Sequence, residues 1–261
     1  MNALLLLGAL AFVIGGAVAL GNLKNWRRRQ RIIATPTSPI AQAPGTGFVE
    51  VKGRIVPSEQ GLVTAPFSGR QGVWVRVVVQ EHRRRGKSSY WATVIDEHDM
   101  RDFMVEDGSG QMARIRPRGA TVMLDRQNVA SSGTFNDAMP HLEAFLASRG
   151  ITSTNWIGFN KAMRYEEEIL VPHEPLFALG PSTRQAGPPV SDGYRMAPSS
   201  QLVMYAMGGD AELILTNKSE EQLVSKLATG FIAGLVIAGI GGVVAFAGVA
   251  MYGLYYLDLV D

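Results

Sequence analysis

Two uncharged apolar stretches bracket the chain, with a mixed polar segment between them. Residues 2–21 carry no charge, and neither do residues 227–257. The first has Ala3–Leu20 as its apolar body. At about 1.5 Å per residue, that body can cross a hydrocarbon layer as a helix. The second opens on a helix start: Ser219 and Gln222 have capping-box spacing, and Glu220 and Glu221 suit the positive end of the helix dipole. The run Leu227–Leu257 allows one tilted span with residues to spare. Tyr252, Tyr255 and Tyr256 stand where an interfacial aromatic belt falls.

Between the spans the pattern changes to alternation. Phe48–Val56, Gly72–Gln80, Tyr90–Ile95, Arg101–Val105 and Gln111–Arg116 read as strands, with a turn over Glu106–Gly110 before the last. Asn136 is placed to cap a helix with Leu142, Phe145 and Leu146 on its apolar face, Arg149 near its negative end and Gly150 as its stop. Strands resume at Glu166–Val171, Leu176–Leu179, Gln201–Tyr205 and Ala211–Leu215, with a breaker-rich loop at Gly187–Ser200. The uncharged, Pro-containing stretch Ile33–Gly47 reads as an extended linker. The expected fold is mainly β, a barrel or a sandwich, with one inserted helix and two flanking transmembrane helices. The Asp-Gly-Ser-Gly turn resembles those of OB-type barrels. One β domain, or two fused around the helix, both fit the pattern. The divisions are 1–21, first span; 22–46, basic stop and linker; 47–218, β-rich domain; 219–257, second span with an amphipathic start; 258–261, tail.

Charge adds an orientation. Charged residues make up 18% of the chain, against about a quarter in soluble proteins. All 25 Lys and Arg, and every acidic residue but Asp258 and Asp261, lie in the middle segment. The positive-inside rule then puts this segment on the cytoplasmic side, with both termini outside, as in a multi-pass protein of a bacterial inner membrane. No basic residue precedes the first span, so a retained anchor is expected; Ala17–Val18–Ala19 offers a cleaved signal as the alternative. Gly230, Gly234, Ala238 and Gly242 form a small-residue stripe, echoed by Ala11, Gly15 and Ala19. Such stripes let spans pack together or join copies into a homo-oligomer.

Little in the sequence points to chemistry. The absence of cysteine excludes disulfides, a zinc ribbon or RING, iron–sulfur ligation and a thiol nucleophile within these residues. The four histidines (His82, His98, His141, His173) have no metal-ligand spacing. The Glu106–Gly110 loop lacks the Lys and the following helix of a phosphate-binding loop. Glu166-Glu167-Glu168 and Asp96-Glu97-His98-Asp99 could pair carboxylates for acid–base work or hold a metal. Strand alternation separates Glu167 from Glu166 and Glu168, and no closing ligand motif is present, so a loop or solvated strand edge is the expected reading. No catalytic residue, metal ligand or cofactor is expected. His82, Arg83, Arg84, Arg85 and Lys87 form a basic hairpin tip that could meet membrane lipid or a protein partner. Trp74, Tyr90 and Trp91 flank it as stacking residues would in a nucleic-acid-binding barrel, but core tryptophans beside a solvated loop are preferred for that case.

A family resemblance adds to this reading. Phe48-Val49-Glu50-Val51-Lys52-Gly53-Arg54, Ala65-Pro66-Phe67-Ser68-Gly69 and Val73-Trp74 resemble the opening of the domain in the MULAN/GIDE family. The match continues through Phe103–Gly110, with Asp107, Gly108 and Gly110, and through Pro117–Ala120. It resumes at Pro140–Leu146 with Gly150-Ile151, and ends with Arg164-Tyr165-Glu166-Glu167 and Ile169–Gly180. These are membrane E3 ubiquitin ligases of mitochondrial and plastid outer membranes, with prokaryotic relatives, among which this chain would fall. The resemblance implies two spans around a domain beside the membrane that recognises substrate proteins, and a C-terminal RING. The chain departs there, with no Cys and only the tail 258–261 after the second span. The expected function is a membrane-anchored protein-binding or scaffold module without its own catalytic site. The alternatives are a ligase component needing a separate RING subunit and, more weakly, a tethered nucleic-acid-binding barrel.

Overall fold

A computed structural model describes residues 3–132, 139–154, 160–191, 196–209 and 211–257. The chain forms two compact units, Met1–Pro36 with Ser219–Asp261, and Thr37–Lys218. The first holds α1 (Ala3–Gly21) and α2 (Leu23–Ala34). A third helix, α3 (Pro140–Ala147), belongs to the second unit, and α4 (Glu220–Leu257) completes the first.

Helices α1 and α4 are both long and apolar enough to cross a membrane. They run antiparallel with their backbones almost touching. A Cβ added at Gly15 would lie 2.3 Å from the Ala238 nitrogen, one at Gly234 would lie 2.4 Å from the Ala19 nitrogen, and one at Gly241 would lie 2.4 Å from the Phe12 nitrogen. Gly8 meets Ala245, and Gly248 meets Leu5, in the same way. The glycine positions 8 and 15, and 234, 241 and 248, therefore repeat every seven residues, the period of helices wound on each other. Gly230 also lies on the seam, where a Cβ would strike the Asn22 side chain. Gly242 does not: its Cβ would meet only the Phe12 ring, at 3.6 Å. A stripe read every four residues drifts off a seam that a helix of about 3.6 residues per turn presents every seven.

The basic stop after the first span is helical, as α2. Trp26 of α2 stacks on Phe231 of α4 at 4.7 Å, with the Arg29 guanidinium over its ring. With 38 residues, α4 is about 57 Å long, well beyond a hydrocarbon core of about 30 Å. Its first turn is closed by the expected capping box, Gln222 N–H donating to Ser219 Oγ at 3.3 Å and Ser219 N–H to Gln222 Oε1 at 3.4 Å.

The second unit is mainly β. In chain order its strands are β1 (Thr46–Pro57), β2 (Val63–Thr64), β3 (Gln71–Gly72), β4 (Trp74–Arg85), β5 (Ser88–Met100), β6 (Phe103–Glu106), β7 (Met112–Arg116), β8 (Thr121–Val122), β9 (Gln127–Ser132), β10 (Met163–Leu170), β11 (Pro175–Ser191), β12 (Met196–Tyr205) and β13 (Ile214–Thr216). Five of them close a barrel in the order β1-β6-β7-β12-β11 and back to β1. Every pair is antiparallel except β7–β12. That Greek-key order is the path of an OB-type barrel, which settles barrel against sandwich. The alternating residues Val49, Val51 and Ile55, Phe103 and Val105, Ala113 and Ile115, Leu176 and Ala178, and Leu202 and Met204 fill it.

Strand β1 makes the closure. It bonds β11 from Thr46 to Arg54 and β6 from Arg54 to Pro57. Gly53 sits at the handover, where a Cβ would lie 2.4 Å from the Glu106 carbonyl oxygen. Only glycine lets the two backbones come that close.

Two insertions into the barrel, between β1 and β6 and between β7 and β11, build a second sheet in the order β5-β4-β10-β9. One face of it, with the β2–β3 hairpin and α3, encloses its own core around Val75, Val77, Val79, Leu142, Leu146 and Tyr165. Trp74 and Leu170, from the same strands, pack into the barrel core instead. The β region is thus one compact unit with two cores.

Two further expectations change. The stretch read as a linker is seated on the barrel: Ile40 and Ala43 are buried in its core. The backbone N–H groups of Ile40 and Ala41 donate to Asp107 Oδ2 (2.7 Å) and Ser109 Oγ (3.2 Å). Arg184 donates to the carbonyls of Ile40, Ala41 and Ala43. The breaker-rich Gly187–Ser200 stretch belongs largely to the β11–β12 hairpin, whose register shifts between Gly187 and Val190. A bulge there accommodates Pro188 and Pro189, which could not serve a regular central ladder. Asn136, the expected helix cap, lies outside the described residues; Met139 and Pro140 begin the observed helix.

Replacing Gly241 by Leu is expected to destabilise the helical unit by about 2 kcal/mol or more, because two backbones must separate. The same change at Gly239, where a Cβ meets nothing within 4 Å, should leave it within about 0.5 kcal/mol. Thermal unfolding of the two variants in detergent measures the difference; equal losses would mean the seam is not there.

Candidate functional site

The residues singled out by the sequence fall into three places: a clamped loop with a cleft beside it, an ion-pair network on the opposite face of the second sheet, and the β4–β5 hairpin tip.

The loop is Pro66–Gly69. Glu167, on the inner strand β10, is buried beneath it, and its Oε1 accepts the N–H groups of Phe67 (2.7 Å) and Ser68 (3.3 Å). His141 Nε2 lies 3.3 Å from the Phe67 carbonyl oxygen. The Phe67 ring meets Phe145 and Tyr165 edge-on, at 4.9 and 5.5 Å. Gly69 takes a positive φ of 70°, which lets the chain turn back to Arg70. Pro66, Ser68, Gly69 and Glu167 are therefore one assembly, a loop fixed by a buried carboxylate.

Beside that loop is a cleft of about 330 Å³, lined by Val63, Pro66, Val75, Val77 and Phe145. Glu97 of β5 and Arg149, just after α3, also line it and form a bidentate ion pair at 2.7–2.9 Å. The guanidinium stacks on Phe145 at 3.6 Å. Hydrogen bonding from Arg149 holds the Glu97 carboxyl below its ordinary range.

On the other face, Glu168 is buried and bonds Arg76 (3.4 Å) and Arg126 (3.1 Å), while Arg126 also reaches Glu166. Arg76 in turn grips Asp96 with two bonds of 2.7 and 2.8 Å, which lowers the Asp96 pKa. Alternation splits the three glutamates as expected, but the solvated edge does not hold for Glu167 and Glu168: β10 lies between β4 and β9. Their charges are spent on backbone N–H groups and arginines. Among the described residues, no three His, Cys, Asp or Glu side chains gather as metal ligands would.

The remaining family-motif positions are also structural. Trp74 is a core residue. Gly108 and Gly110 adopt positive φ (79° and 82°) in the β6–β7 turn, and Asp107 accepts the Ser109 and Ile40 N–H groups there. Gly180 touches Leu213, leaving no room for a side chain. A family model described as GIDE, E3 ubiquitin ligase, matches residues 76–250, more than half of the chain. The chain belongs to the GIDE family. No curated protein and no solved structure matches it. The matched segment starts in β4 and runs into α4, so it takes in the second sheet, four of the five barrel strands and most of the second span.

The tip of the GIDE unit's β4–β5 hairpin is the third place. Arg83, Arg84, Arg85 and Lys87 are exposed around Gly86, and His82 stands beside Trp91 with ring centroids 5.0 Å apart. Sequence reading places Arg149 only at a helix end and His141 only among histidines without ligand spacing, and does not single out Arg184; their partners lie 52, 74 and more than 140 residues away along the chain. No local spacing signals such pairs.

Asp96 and Glu97 titrate below their ordinary values through Arg76 and Arg149. Asp107 does too: burial alone would raise it, but the bonds from Ser109 and Ile40 outweigh burial. Each binds its proton more readily in the unfolded chain, so each stabilises the fold above about pH 4 and loses that contribution as pH falls through its lowered value. Denaturant midpoints should therefore drop between about pH 5 and pH 2. The drop should be smaller in Asp107→Asn, which lacks that proton; an identical profile would discount the clip.

Proposed function

We propose that this GIDE-family protein is a membrane-anchored protein-binding or scaffold module with no catalytic group among these residues; any ubiquitin transfer requires a RING that these residues do not supply. The observation that carries this reading is a GIDE match that runs through both β sheets into the second helix in a sequence without cysteine. A RING holds its zinc ions through cysteine thiolates, and these residues offer none. The carboxylates that could have suggested acid–base chemistry are paired with arginines or hold backbone. The Phe67–Arg70 loop, fixed from below by Glu167, is a preorganised contact surface. Rigid loops on a scaffold lose less entropy on binding.

The purified chain with ubiquitin, ubiquitin-activating enzyme and ubiquitin-conjugating enzyme is expected to give no conjugates. Adding a RING-bearing partner co-purified with it should produce them. Conjugation by the chain alone would overturn the reading.

The basic residues nearest the spans, Lys24, Arg27, Arg28, Arg29 and Arg31 after the first and Lys218 and Lys226 around the start of the second, all lie toward the β unit along the chain. By the positive-inside rule that unit is cytoplasmic, in a bacterial inner membrane, with both termini outside. A single thiol introduced as Ser88→Cys is the only one in the sequence. It should react with an impermeant thiol reagent after lysis but not in intact cells. Labelling of intact cells would put the domain outside.

A further inference from the structure

We propose that the tip of the β4–β5 ribbon is a docking site for anionic phospholipid headgroups. This goes beyond the protein-binding reading and does not rest on it. The ribbon leaves its sheet at Glu81, the last residue of β4 paired to β10. His82 N–H still donates to the Ala162 carbonyl at 2.8 Å, and from Arg83 to Tyr90 the ribbon is a two-stranded hairpin paired only within itself. Five of the six positions from His82 to Lys87 are basic side chain types, and all are exposed. Arg83 bonds Glu81 at 3.0 Å. Arg84, Arg85 and Lys87 have no carboxylate partner among the described residues. That contrasts with Arg76, Arg126 and Arg149 in the same unit, each held by one or more acids.

The arrangement of the charges selects the kind of surface. Register pairs His82 with Trp91, Arg83 with Tyr90, Arg84 with Ser89 and Arg85 with Ser88. His82 and Arg84 therefore project from one face and Arg83 and Arg85 from the other, with Lys87 in the turn. This is a cationic knob that meets a charged plane end-on, rather than a row of cations along one face that would track a strand of nucleic acid. The aromatics agree. Tyr90 and Trp91 lie on opposite faces behind the tip, each partly exposed (49% and 36%), and aromatic side chains of this kind favour a headgroup region. Trp91 is not an open stacking platform: the Arg164 guanidinium lies 3.7 Å from its centroid and His82 stands beside it. A base would have to displace them. Both ends of the β unit continue into helices long enough to cross a membrane, so chain connectivity tethers the β unit to a bilayer.

The test uses the full chain with Ser88→Cys carrying an environment-sensitive fluorophore, in nanodiscs of phosphatidylcholine alone or mixed with phosphatidylglycerol. A blue shift and shielding from aqueous iodide are expected in the mixed discs only, and both should disappear near 1 M salt, where the Debye length is about 3 Å. Arg84→Glu with Arg85→Glu should abolish the response, since each cation near an anionic surface is worth about fivefold in binding. Arg84→Lys with Arg85→Lys should keep it. The tip lies outside both cores, so unchanged melting of the variants is expected. A fluorophore that stays in water in both discs, or responds equally in both, would overturn the proposal. So would a response to a single-stranded oligonucleotide without one to phosphatidylglycerol. If partner-dependent conjugation persists while the lipid response is absent, the lipid site alone fails.

Discussion

The closing of the barrel by β1 is the constraint on which the β unit depends. One strand must hydrogen-bond β11 along most of its length and then pass to β6, and it can do so only where its backbone comes within contact distance of Glu106. Gly53 permits that approach. Once the ring is closed, both insertions must leave and re-enter at strand ends, so the second sheet forms alongside and lends Trp74 and Leu170 to the barrel core. The segment before β1 is drawn in as well. Ile40 enters the barrel core, and Asp107, Ser109 and Arg184 satisfy the polar backbone that would otherwise be buried without partners.

The residues that carry the family resemblance build the scaffold. Gly53 and Gly180 are sites of close approach, Gly69, Gly108 and Gly110 are turns with positive φ, Trp74 is core, and Glu167 is a clamp. Each is fixed by backbone geometry or burial, and none presents a reactive group to solvent. Membership of the GIDE family therefore transfers the fold with more force than it transfers RING chemistry, which needs zinc-binding thiolates that these residues lack.

How far the sequence could be read follows from how local each signal is. Alternation over four or more residues marks β1, β4, β6, β7 and β10–β12, and the Asp-Gly turn marks its hairpin. The two-residue strands β2, β3 and β8 are too short to show a period, and β9, with the polar sequence Gln127–Ser132, has no apolar face to read. Helix α2 was hidden because its basic residues suggest a stop signal, while its anchoring contacts, Trp26 on Phe231, link opposite ends of the chain. The acidic clusters misled for a related reason. Composition shows three adjacent glutamates, but only the sheet order makes β10 an inner strand and supplies Arg76 and Arg126 to neutralise Glu168.

The arginines divide accordingly into two populations. Arg76, Arg126, Arg149 and Arg184 are each tied to acids or carbonyls from distant parts of the chain, and they hold elements together. Those of the ribbon tip join no distant elements: they extend past the last pairing of β4 to β10 within the second sheet. Like charges crowded at successive positions of one strand end repel, and the hairpin persists because its own backbone bonds and the Arg164–Trp91–His82 stack support its base. Counter-charge from outside would relieve that repulsion without disturbing either core. A cluster of cations that weakens its own element, and in which an internal acid meets only Arg83, makes physical sense at the point of the molecule that meets something negative.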